Sequence, residues 1–469
     1  MKTRVYTLQQ VLAAAKTHPF YTPGVQYPPD RDAVQKIVES GNQGPSEASL
    51  SSWPLATKDQ LYRTIRRLVS DTSSTNTYRD GSYISMTGGS GGGLPMPFAT
   101  DSFENREQRA RMGEFIRLCG VIEPGDWVLT VHTSGGFYRS LDLTVEILEN
   151  AGASVLPAGH AMSLAEVVEA LVHYRVNVLS GDSSQIVRVA GIIAGLPAEE
   201  RQNVKLTKII YTSEPLTDVQ RAYIREVLGP IQVYSVLGSC EAGPWALSNP
   251  DIGQASASEV AGAADFVFDT RTMLVDILDP SVLDNDDGSV AATGEPLPDG
   301  SLGIVVQTSL QRLKNPLVRY VTGDIGSLHP VPESAVAKGI PAEERQYLRI
   351  LRLHGRDRRF SFKWSGEYLQ FDWLAALLQT KEWRILQWQV VLAQPKSFPD
   401  PTLEIRLLLP ASVAETDIGP ESRLVKAIEQ FCVVTPGNRH LFQIKILTDL
   451  TQFERSSTGR KVIKFIDRT

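Results

Sequence analysis

Five of the six residues from 88 to 93 are glycine, and only Ser90 interrupts the run. Glycine adopts positive φ angles at little cost, so this loop can turn tightly and point several backbone N–H groups at one anion, such as a phosphate. An apolar stretch that includes Tyr83 precedes the loop, and Asp101 and Glu104 follow it at capping-box spacing. We therefore predict a strand, a phosphate-binding loop and a helix. A flexible linker is the alternative interpretation, and the loop has no lysine, which argues against P-loop NTPase chemistry.

Three further loops follow apolar, strand-like runs, at residues 132–138, 180–184 and 212–216. Helical patterns separate the runs, which are residues 127–131, 154–156, 176–179, 207–211 and 231–236. Two of the helices begin with capping-box spacing, at Ser163 with Glu166 and at Thr217 with Gln220. This alternation predicts a mostly parallel sheet with helices on both faces, and ligands bind at the carboxyl ends of the strands in such sheets.

The remaining segments predict the domains. Residues 1–80 carry short helical patterns broken by proline and serine, which indicates an irregular lead-in that packs on the main body. After residue 262 the pattern is β-rich and predicts a smaller β subdomain, with runs at residues 266–269, 273–278, 303–309 and 317–321. Beyond residue 355 we expect an α+β domain, with helices near 371–378 and 422–431 and strands near 386–392, 403–409 and 441–447.

The predicted fold class is therefore α/β. A large N-terminal domain, residues 1–354, would contain mostly parallel sheets and the β-rich subdomain, and residues 355–469 would form a small mobile α+β lid domain.

Composition excludes several classes of function. The 469 residues include 47 basic and 53 acidic side chains, a net charge of −6, so nucleic acid and anionic membrane are poor partners. The cysteines, Cys119, Cys240 and Cys432, are far apart and form no CxxC pair, which supports neither a disulfide framework nor a thiolate zinc site. No apolar stretch approaches the length of a membrane span, and the N-terminus lacks a signal-peptide core. We expect a cytoplasmic protein.

Four separated stretches, in order, resemble signatures of the adenylate-forming superfamily, and most closely those of its phenylacetate-CoA ligase-like members. Residues 87–95 resemble the family's SGTTGKP phosphate loop, and residues 212–215 resemble its GAEP turn. Residues 237–241 (LGSCE) are similar to its YGLTE signature, and residues 316–325 (PLVRYVTGDI) are close to its PLIRYRTGDI. Further on, the Gly-Arg at 355–356 and the basic segment 457–464 resemble the opening and the end of the family's mobile C-terminal domain.

The resemblance implies a two-step reaction in which a carboxylate attacks the α-phosphate of ATP and an acceptor then displaces AMP from the acyl adenylate. ATP and Mg²⁺ are the implied cofactors, and CoA is the default acceptor. Glu241 would bind Mg²⁺ and Lys461 would stabilise charge at the α-phosphate, with Lys464 as the alternative lysine. The implied nucleotide-binding residues are Thr87, Ser90, Gly91, Ser213, Glu214, Pro215, Ser239, Cys240, Asp324 and Arg356.

The acid pocket would lie after the run at 127–131. Phe137 and Tyr138 would place two rings near the substrate, Gly238 would border it, and His132 would orient the acid. An aromatic or heteroaromatic acid follows from these rings. The alternative is that Phe137 and Tyr138 begin a core helix.

Departures from the family pattern keep other functions open. Leu237 replaces the family's tyrosine, Cys240 replaces its threonine, and the phosphate loop has no lysine. An amine or other nitrogen nucleophile could replace CoA, as in amide-forming ligases of secondary metabolism. A catalytically silent nucleotide- or acid-binding protein on the same fold is a further alternative, and a homodimer is one oligomeric state to be considered.

Overall fold

The computed structural model describes residues 5–40, 50–86, 97–213, 215–252, 263–283, 294–337, 339–356, 362–365, 367–369, 371–395, 400–410, 422–455 and 462–468. The helices are α1 Leu8–Lys16, α2 Arg31–Glu39, α3 Lys58–Ser70, α4 Ser102–Leu118, α5 Ser140–Asn150, α6 Leu164–His173, α7 Ser183–Ala194, α8 Ala198–Arg201, α9 Asp218–Leu228, α10 Ser334–Ala337, α11 Ala342–Arg345, α12 Phe371–Leu378 and α13 Arg423–Phe431.

The strands are β1 Ser82–Met86, β2 Pro97–Asp101, β3 Trp127–Thr130, β4 Ser154–Pro157, β5 Val178–Asp182, β6 Lys208–Thr212, β7 Gln232–Ser239, β8 Gly243–Ser248, β9 Ala264–Asp269, β10 Met273–Leu278, β11 Gly303–Ser309, β12 Tyr320–Pro330, β13 Leu348–Arg356, β14 Phe362–Trp364, β15 Glu367–Leu369, β16 Gln387–Ala393, β17 Thr402–Leu408, β18 Phe442–Leu447 and β19 Phe465–Arg468.

One eleven-stranded sheet organises the large domain, in the order β10-β11-β12-β13-β9-β8-β7-β6-β5-β3-β4. The strands from β4 to β7 pair in parallel, as the alternation predicts. Both predicted capping boxes are present, at Ser163 with Glu166 and at Thr217 with Gln220. The α/β class is thereby confirmed, and the carboxyl ends of the parallel strands lie at one edge, where the candidate loops follow them.

The rest of the sheet corrects two expectations. The β-rich segment after residue 262 joins the same sheet, because β9 pairs with β8 and β13 instead of starting a sheet of its own. All pairings from β7 to β10 in the sheet order are antiparallel, so the sheet is mixed and its parallel strands form only one half. Pairing between distant strands leaves no trace in local periodicity, which is why the sequence did not indicate it.

The segment around the glycine loop differs from the predicted order of strand, loop and helix. β1 pairs antiparallel with β2, from Ser82 with Asp101 to Met86 with Pro97, and the predicted glycine loop, which lies outside the described residues, comes between these two strands in sequence. Asp101 caps α4 by accepting from the N–H groups of Phe103 and Glu104. The Glu104 side chain does not complete a capping box, because it points inward and accepts from the N–H of Leu313 at 2.8 Å.

The N-terminal lead-in packs on the large sheet, as predicted. Val11 and Leu12 of α1 share a buried cluster with Leu310 and Leu313 of the segment that joins β11 to β12. His18 is fully buried and its Nε2 lies 3.0 Å from Asn315 Oδ1, while its Nδ1 accepts from the N–H of Phe20. Burial lowers the pKa of His18 from 6.5 to about 3, although the bond to Asn315 opposes the shift. The ring is therefore neutral in the folded protein at any pH above that value.

His18 should make the protein less stable in acid. The unfolded chain binds a proton at His18 near pH 6.5 whereas the folded chain does not until about pH 3, so stability falls as the pH drops between these values. At pH 5 the loss due to His18 should be about 2 kcal/mol relative to pH 8. Urea unfolding of the wild type and of His18→Gln at both pH values measures it. An equal decrease in both proteins would contradict the assignment.

The second sheet lies wholly after residue 386 and has the order β18-β17-β16-β19. The α12, α13, β16, β17 and β18 elements match the predicted positions to within one residue at each end. This part packs on α9, where Val219 belongs to a buried cluster with Leu386, Leu408 and Val462. The domain boundary at residue 355 stays a prediction. Within the described ranges, no helix combines the length and apolar character needed to cross a bilayer.

Candidate active site

The hairpin that carries the glycine loop meets the end of β7. The Cys240 thiol donates to the backbone oxygen of Met86, the last residue of β1, across 3.0 Å. Ser239 and Gly238 are exposed beside this contact, and Cys240 is half-buried. The root of the predicted phosphate loop and the predicted LGSCE signature are therefore adjacent, although 154 residues separate them in sequence.

The turn after β7 has a backbone that depends on glycine. A bulge lies between Leu237 and Gly238 in the pairing of β7 with β8. A Cβ on Gly238 would lie 2.8 Å from the oxygen of Gly243, so no larger residue fits without a shift. Gly243 has a φ of +71°, and Ser239 Oγ accepts from the N–H of Ala242 at 2.9 Å. These features hold the intervening residues, Cys240 and Glu241, in a tight, defined turn.

Glu241 is buried in this turn and its carboxylate contacts the N-terminal lead-in. Tyr62 Oη donates to Glu241 Oε1 at 2.9 Å, and Lys58 Nζ lies 3.6 Å from the same oxygen. Burial raises the pKa of the Tyr62 hydroxyl, and the adjacent Glu241 charge raises it further. Lys58 is 58% exposed, so its ammonium group can leave this loose pair when a ligand approaches.

Tyr62 and Lys58 were not among the predicted site residues. Both lie on α3, four residues apart on one helix face, in the segment interpreted only as a lead-in. The capping box of α3, formed by Thr57 and Gln60, is visible in the sequence and predicts the helix. Nothing local indicates that this face meets a glutamate 179 residues away.

The loop after β6 lies next to this turn, because β6 and β7 are parallel neighbours with Thr212 opposite Val236. Ser213 is exposed and has a φ of +82°, a conformation that costs a non-glycine residue about 1–3 kcal/mol. Such strain is concentrated at functional sites, which favours the predicted role of Ser213. Pro215 is exposed, and Thr217 two residues later caps α9.

Asp324 lies on β12, in the segment most like the family pattern. It is half-buried, and its N–H donates to Thr322 Oγ1 at 3.0 Å after Gly323 turns with a φ of +77°. Asp324 is the pairing partner of Arg356 on β13. Two of the residues that the resemblance assigns to nucleotide binding are therefore neighbours on adjacent strands.

The turn after β3 holds the predicted acid-pocket residues. His132 is buried just beyond the strand, whereas Phe137 is 67% exposed and Tyr138 is half-buried. Gly135, Gly136 and Phe137 all have positive φ, and Gly135 and Tyr138 exchange backbone hydrogen bonds. The alternative that the two rings begin a core helix is wrong, because α5 starts at Ser140 and Phe137 faces solvent. Whether these residues bind the acid stays a prediction.

An aromatic and charged contact joins this turn to the hairpin. The guanidinium carbons of Arg139 and Arg109 lie 4.2 Å and 4.7 Å from the centre of the Tyr83 ring, near the start of β1. Asp142 accepts from both arginines at 3.1 Å. A cavity of about 270 Å³ opens at this point. The turn after β3 and the hairpin thus lie on the same side of the molecule.

Of the two candidate lysines, Lys464 is engaged within its own domain. Its ammonium group donates to Gln387 Oε1 and lies 4.7 Å from the centre of the Trp388 ring. Lys461, together with Thr87, Ser90, Gly91 and Glu214, lies outside the described residues, as does the side chain of Arg356. The position of Lys464 favours Lys461 as the reacting lysine.

Magnesium is implied by the family and can be tested against the donors present. Within the described part of the chain, no group of three or more His, Cys, Asp and Glu side chains could hold a metal ion. Mg²⁺ commonly binds through one or two carboxylates, with water and substrate phosphates as its other ligands. The Glu241 carboxylate, next to the root of the predicted phosphate loop, fits that mode.

Comparisons with known proteins agree with these motifs. No family model matches the sequence. Part of the sequence is similar to two phenylacetate-coenzyme A ligases. It is 28% identical to that of Thermus thermophilus over 179 residues and 29% identical to that of Pseudomonas putida over 187 residues. These matches cover 38% and 39% of this chain and 35% and 36% of the relatives, so they span about a third of either relative.

The structural match is broader. A 2-hydroxyisobutyryl-CoA ligase solved in the postadenylation state with 2-HIB-AMP gives a TM-score of 0.64 at 17% identity, over 98% of this chain and 88% of that one. The chain therefore has the fold of this CoA ligase, and part of its sequence is similar to phenylacetate-coenzyme A ligases. The family resemblance predicted from the motifs is confirmed. The chain is also similar in structure to the amide bond synthetase McbA from Marinactinospora thermotolerans, with a TM-score of 0.50 at 14% identity over 92% of this chain and 76% of McbA.

Proposed function

We propose that the chain is an ATP-dependent ligase that activates a carboxylic acid as an acyl adenylate and then transfers the acyl group to CoA. The observation that carries this proposal is the contact of Cys240 with Met86 beside the buried Glu241. The proposal is supported by the proximity of three segments that resemble family signatures: the hairpin on either side of the glycine run, the turn after β7, and Ser213 at the end of the neighbouring β6.

Different residues of this chain would bind the phosphates, the ribose and the adenine of ATP. Backbone N–H groups of residues 88–93, including Gly91, would bind the phosphates that leave as pyrophosphate, together with the hydroxyls of Thr87 and Ser90. Asp324 and Arg356 would hold the ribose from paired strands. Ser213, Glu214, Pro215, Ser239 and Cys240 would line the adenine and α-phosphate side.

Glu241 would hold Mg²⁺, which supplies charge neutralisation at the phosphates when it is bound. The carboxylate is already oriented by Tyr62, and Lys58 keeps its charge balanced until the metal arrives. His132 and Gly238 would border the acid, and Phe137 and Tyr138 would cover it, which favours an aromatic or heteroaromatic substrate. The exposed Phe137 ring would then have to turn inward on binding.

The second step is proposed to need a rotation of the lid domain. The solved 2-hydroxyisobutyryl-CoA ligase fits this chain better in its postadenylation state, with a TM-score of 0.64, than in its thioesterification state, with 0.55. The lid contacts α9 here through Lys381 with Asp218 at 3.6 Å and through Gln220, whose amide donates to Leu386 O. Gly355, the second-last residue of β13, has a φ of +126°, and a glycine at the end of an element can absorb a large rotation.

An amine acceptor is the second candidate. The similarity to McbA over 92% of this chain shows that the fold also occurs in an amide bond synthetase, and no described feature of this chain identifies a CoA phosphate site. The catalytically silent nucleotide- or acid-binding protein remains the third hypothesis, because the loop has no lysine and Leu237 replaces a tyrosine.

Mass spectrometry of the products separates these functions. The protein is incubated with Mg·ATP and a panel of aryl and heteroaryl acids, with either CoA or a mixture of amines. We expect AMP and an acyl-CoA thioester. An amide product without a thioester would show that an amine, and not CoA, is the acceptor. Binding of ATP without formation of AMP would favour the catalytically silent binding protein.

A further inference from the structure

Two carbonyl groups of the turn after β7 are held by side chains instead of by a neighbouring strand. The Arg312 guanidinium donates through Nη1 to the backbone oxygen of Glu241. Gln108 Nε2 on α4 donates to the oxygen of Ala242 at 2.7 Å. Arg312 Nη2 also donates to Gln108 Oε1 at 3.1 Å, so the two side chains form one linked pair behind the turn.

Arg312 is suited to hold this turn because its own side chain is immobilised by burial and by contact with an aromatic ring. The side chain is fully buried, and its guanidinium carbon lies 5.8 Å from the centre of the Phe98 ring on β2. Burial lowers the pKa of Arg312 to about 10, which leaves it charged at neutral pH. A charged donor makes a stronger hydrogen bond to a carbonyl group than a neutral one, and the loss of a buried donor leaves the oxygen unpaired.

The segment that carries Arg312 is anchored at several points. The N–H of Leu313 donates to the buried Glu104 carboxylate at 2.8 Å. Lys314 Nζ donates to the oxygen of Asp80 just before the hairpin, and Asn315 pairs with His18. The segment therefore ties the hairpin root, the start of α4 and the lead-in to the strand that carries Asp324.

We propose that Arg312 is a positioning residue for Glu241, which acts by holding the Glu241 carbonyl group and so sets the direction in which its carboxylate meets the metal and phosphates. The proposal rests on the proposed role of Glu241. Gln108 supports the same turn, because its side chain packs directly against Gly243. A Cβ added at Gly243 would lie only 2.5 Å from Gln108 Oε1. No sequence motif assigns a role to either residue.

The test compares Arg312→Lys with Arg319→Lys. Arg319 is equally buried and also donates to backbone oxygens, those of Ser51, of Trp53 at 2.9 Å and of Gly294 at 2.6 Å, but none of these oxygens belongs to the site. Lysine keeps the positive charge but lacks the planar guanidinium group, which can donate hydrogen bonds to two acceptors at once. Both variants should lose stability, and only Arg312→Lys should alter Glu241.

Two readouts decide the result. Hydrogen exchange of residues 239–243 in the ligand-free protein should become about tenfold faster in Arg312→Lys and stay at the wild-type rate in Arg319→Lys. The Mg²⁺ concentration that half-saturates ATP binding in calorimetry should rise roughly tenfold in Arg312→Lys, as is usual when a residue that orients a metal ligand is lost. The rate at saturating Mg²⁺ should change less than about threefold.

Equal exchange of the turn in the two variants would overturn the role of Arg312. If the wild type binds no Mg·ATP, the proposed function is wrong, but the exchange comparison still decides whether Arg312 positions the turn. A Gln108→Leu variant adds a double-mutant cycle with Arg312→Lys. The linked pair predicts a non-additive effect on exchange, and additive effects would contradict it.

Discussion

Replacing Glu241 with glutamine should lower acid-dependent ATP–pyrophosphate exchange by roughly two to three orders of magnitude, the usual scale for the loss of one charge contact in a transition state. Glutamine has nearly the same shape, and its amide oxygen can still accept from Tyr62 Oη, which lies 2.9 Å from the carboxylate in the wild type. The change therefore removes the charge that would bind Mg²⁺ and leaves the turn intact. Exchange is measured at saturating acid over a range of Mg²⁺ concentrations.

Glu146→Gln is the matched control for this prediction. Glu146 is also a paired carboxylate, 2.6 Å from Arg109, on the helix after the β3 turn. Its substitution should change exchange less than about threefold. A similar loss in both variants would mean that Glu241 contributes only to general stability, and the metal assignment would have to be withdrawn.

Replacing Lys461 with alanine should separate the two half-reactions. Adenylation should fall by roughly two or more orders of magnitude, because the variant lacks the ammonium group that would meet charge on the α-phosphate. Transfer to the acceptor from a supplied acyl adenylate should stay within about threefold of the wild type, since the lid would turn away before that step. Pyrophosphate exchange measures the first step and single-turnover product formation measures the second.

Lys464→Ala is the control, three residues along the chain. Lys464 contacts Gln387 and the Trp388 ring, so its loss should loosen the lid domain and lower its stability without a selective effect on adenylation. A selective loss of adenylation in Lys464→Ala, with Lys461→Ala unaffected, would reverse the assignment of the two lysines. Equal loss of both half-reactions in both variants would contradict the rotation of the lid.

The sequence predicted those parts of the fold that depend on local pattern. The strands β3, β5 and β6 are mostly buried, so they appear as short apolar runs, and the helices α6 and α9 begin with their own capping boxes. The hairpin was missed because β2 begins at a proline, Pro97, four residues after the glycine run, and resembles a helix lead-in. Glu104 has capping-box spacing, yet tertiary contact with Leu313 turns its side chain inward.

The residues of the candidate site likewise fall into two groups, those that local sequence motifs indicate and those that only long-range contacts bring to the site. Cys240, Glu241 and Asp324 were predicted because each lies in a short contiguous motif, the first two in the turn after β7 and the third on β12. Tyr62, Gln108 and Arg312 were missed because they contact the site across 179, 134 and 71 residues, respectively, and no local spacing encodes such contacts. The long-range order of the eleven-stranded sheet brings them to Glu241.

ATP–pyrophosphate exchange by the wild-type protein tests the central claim most directly, because it reports adenylate formation without regard to the acceptor. The protein is assayed with Mg·ATP, labelled pyrophosphate and a panel of aryl, heteroaryl and amino acids, with a reaction lacking acid as the control. At least one acid should raise exchange well above the control, and omission of Mg²⁺ should abolish the increase. If calorimetry shows that the protein binds ATP and yet no acid on the panel supports exchange, the adenylate-forming function is contradicted.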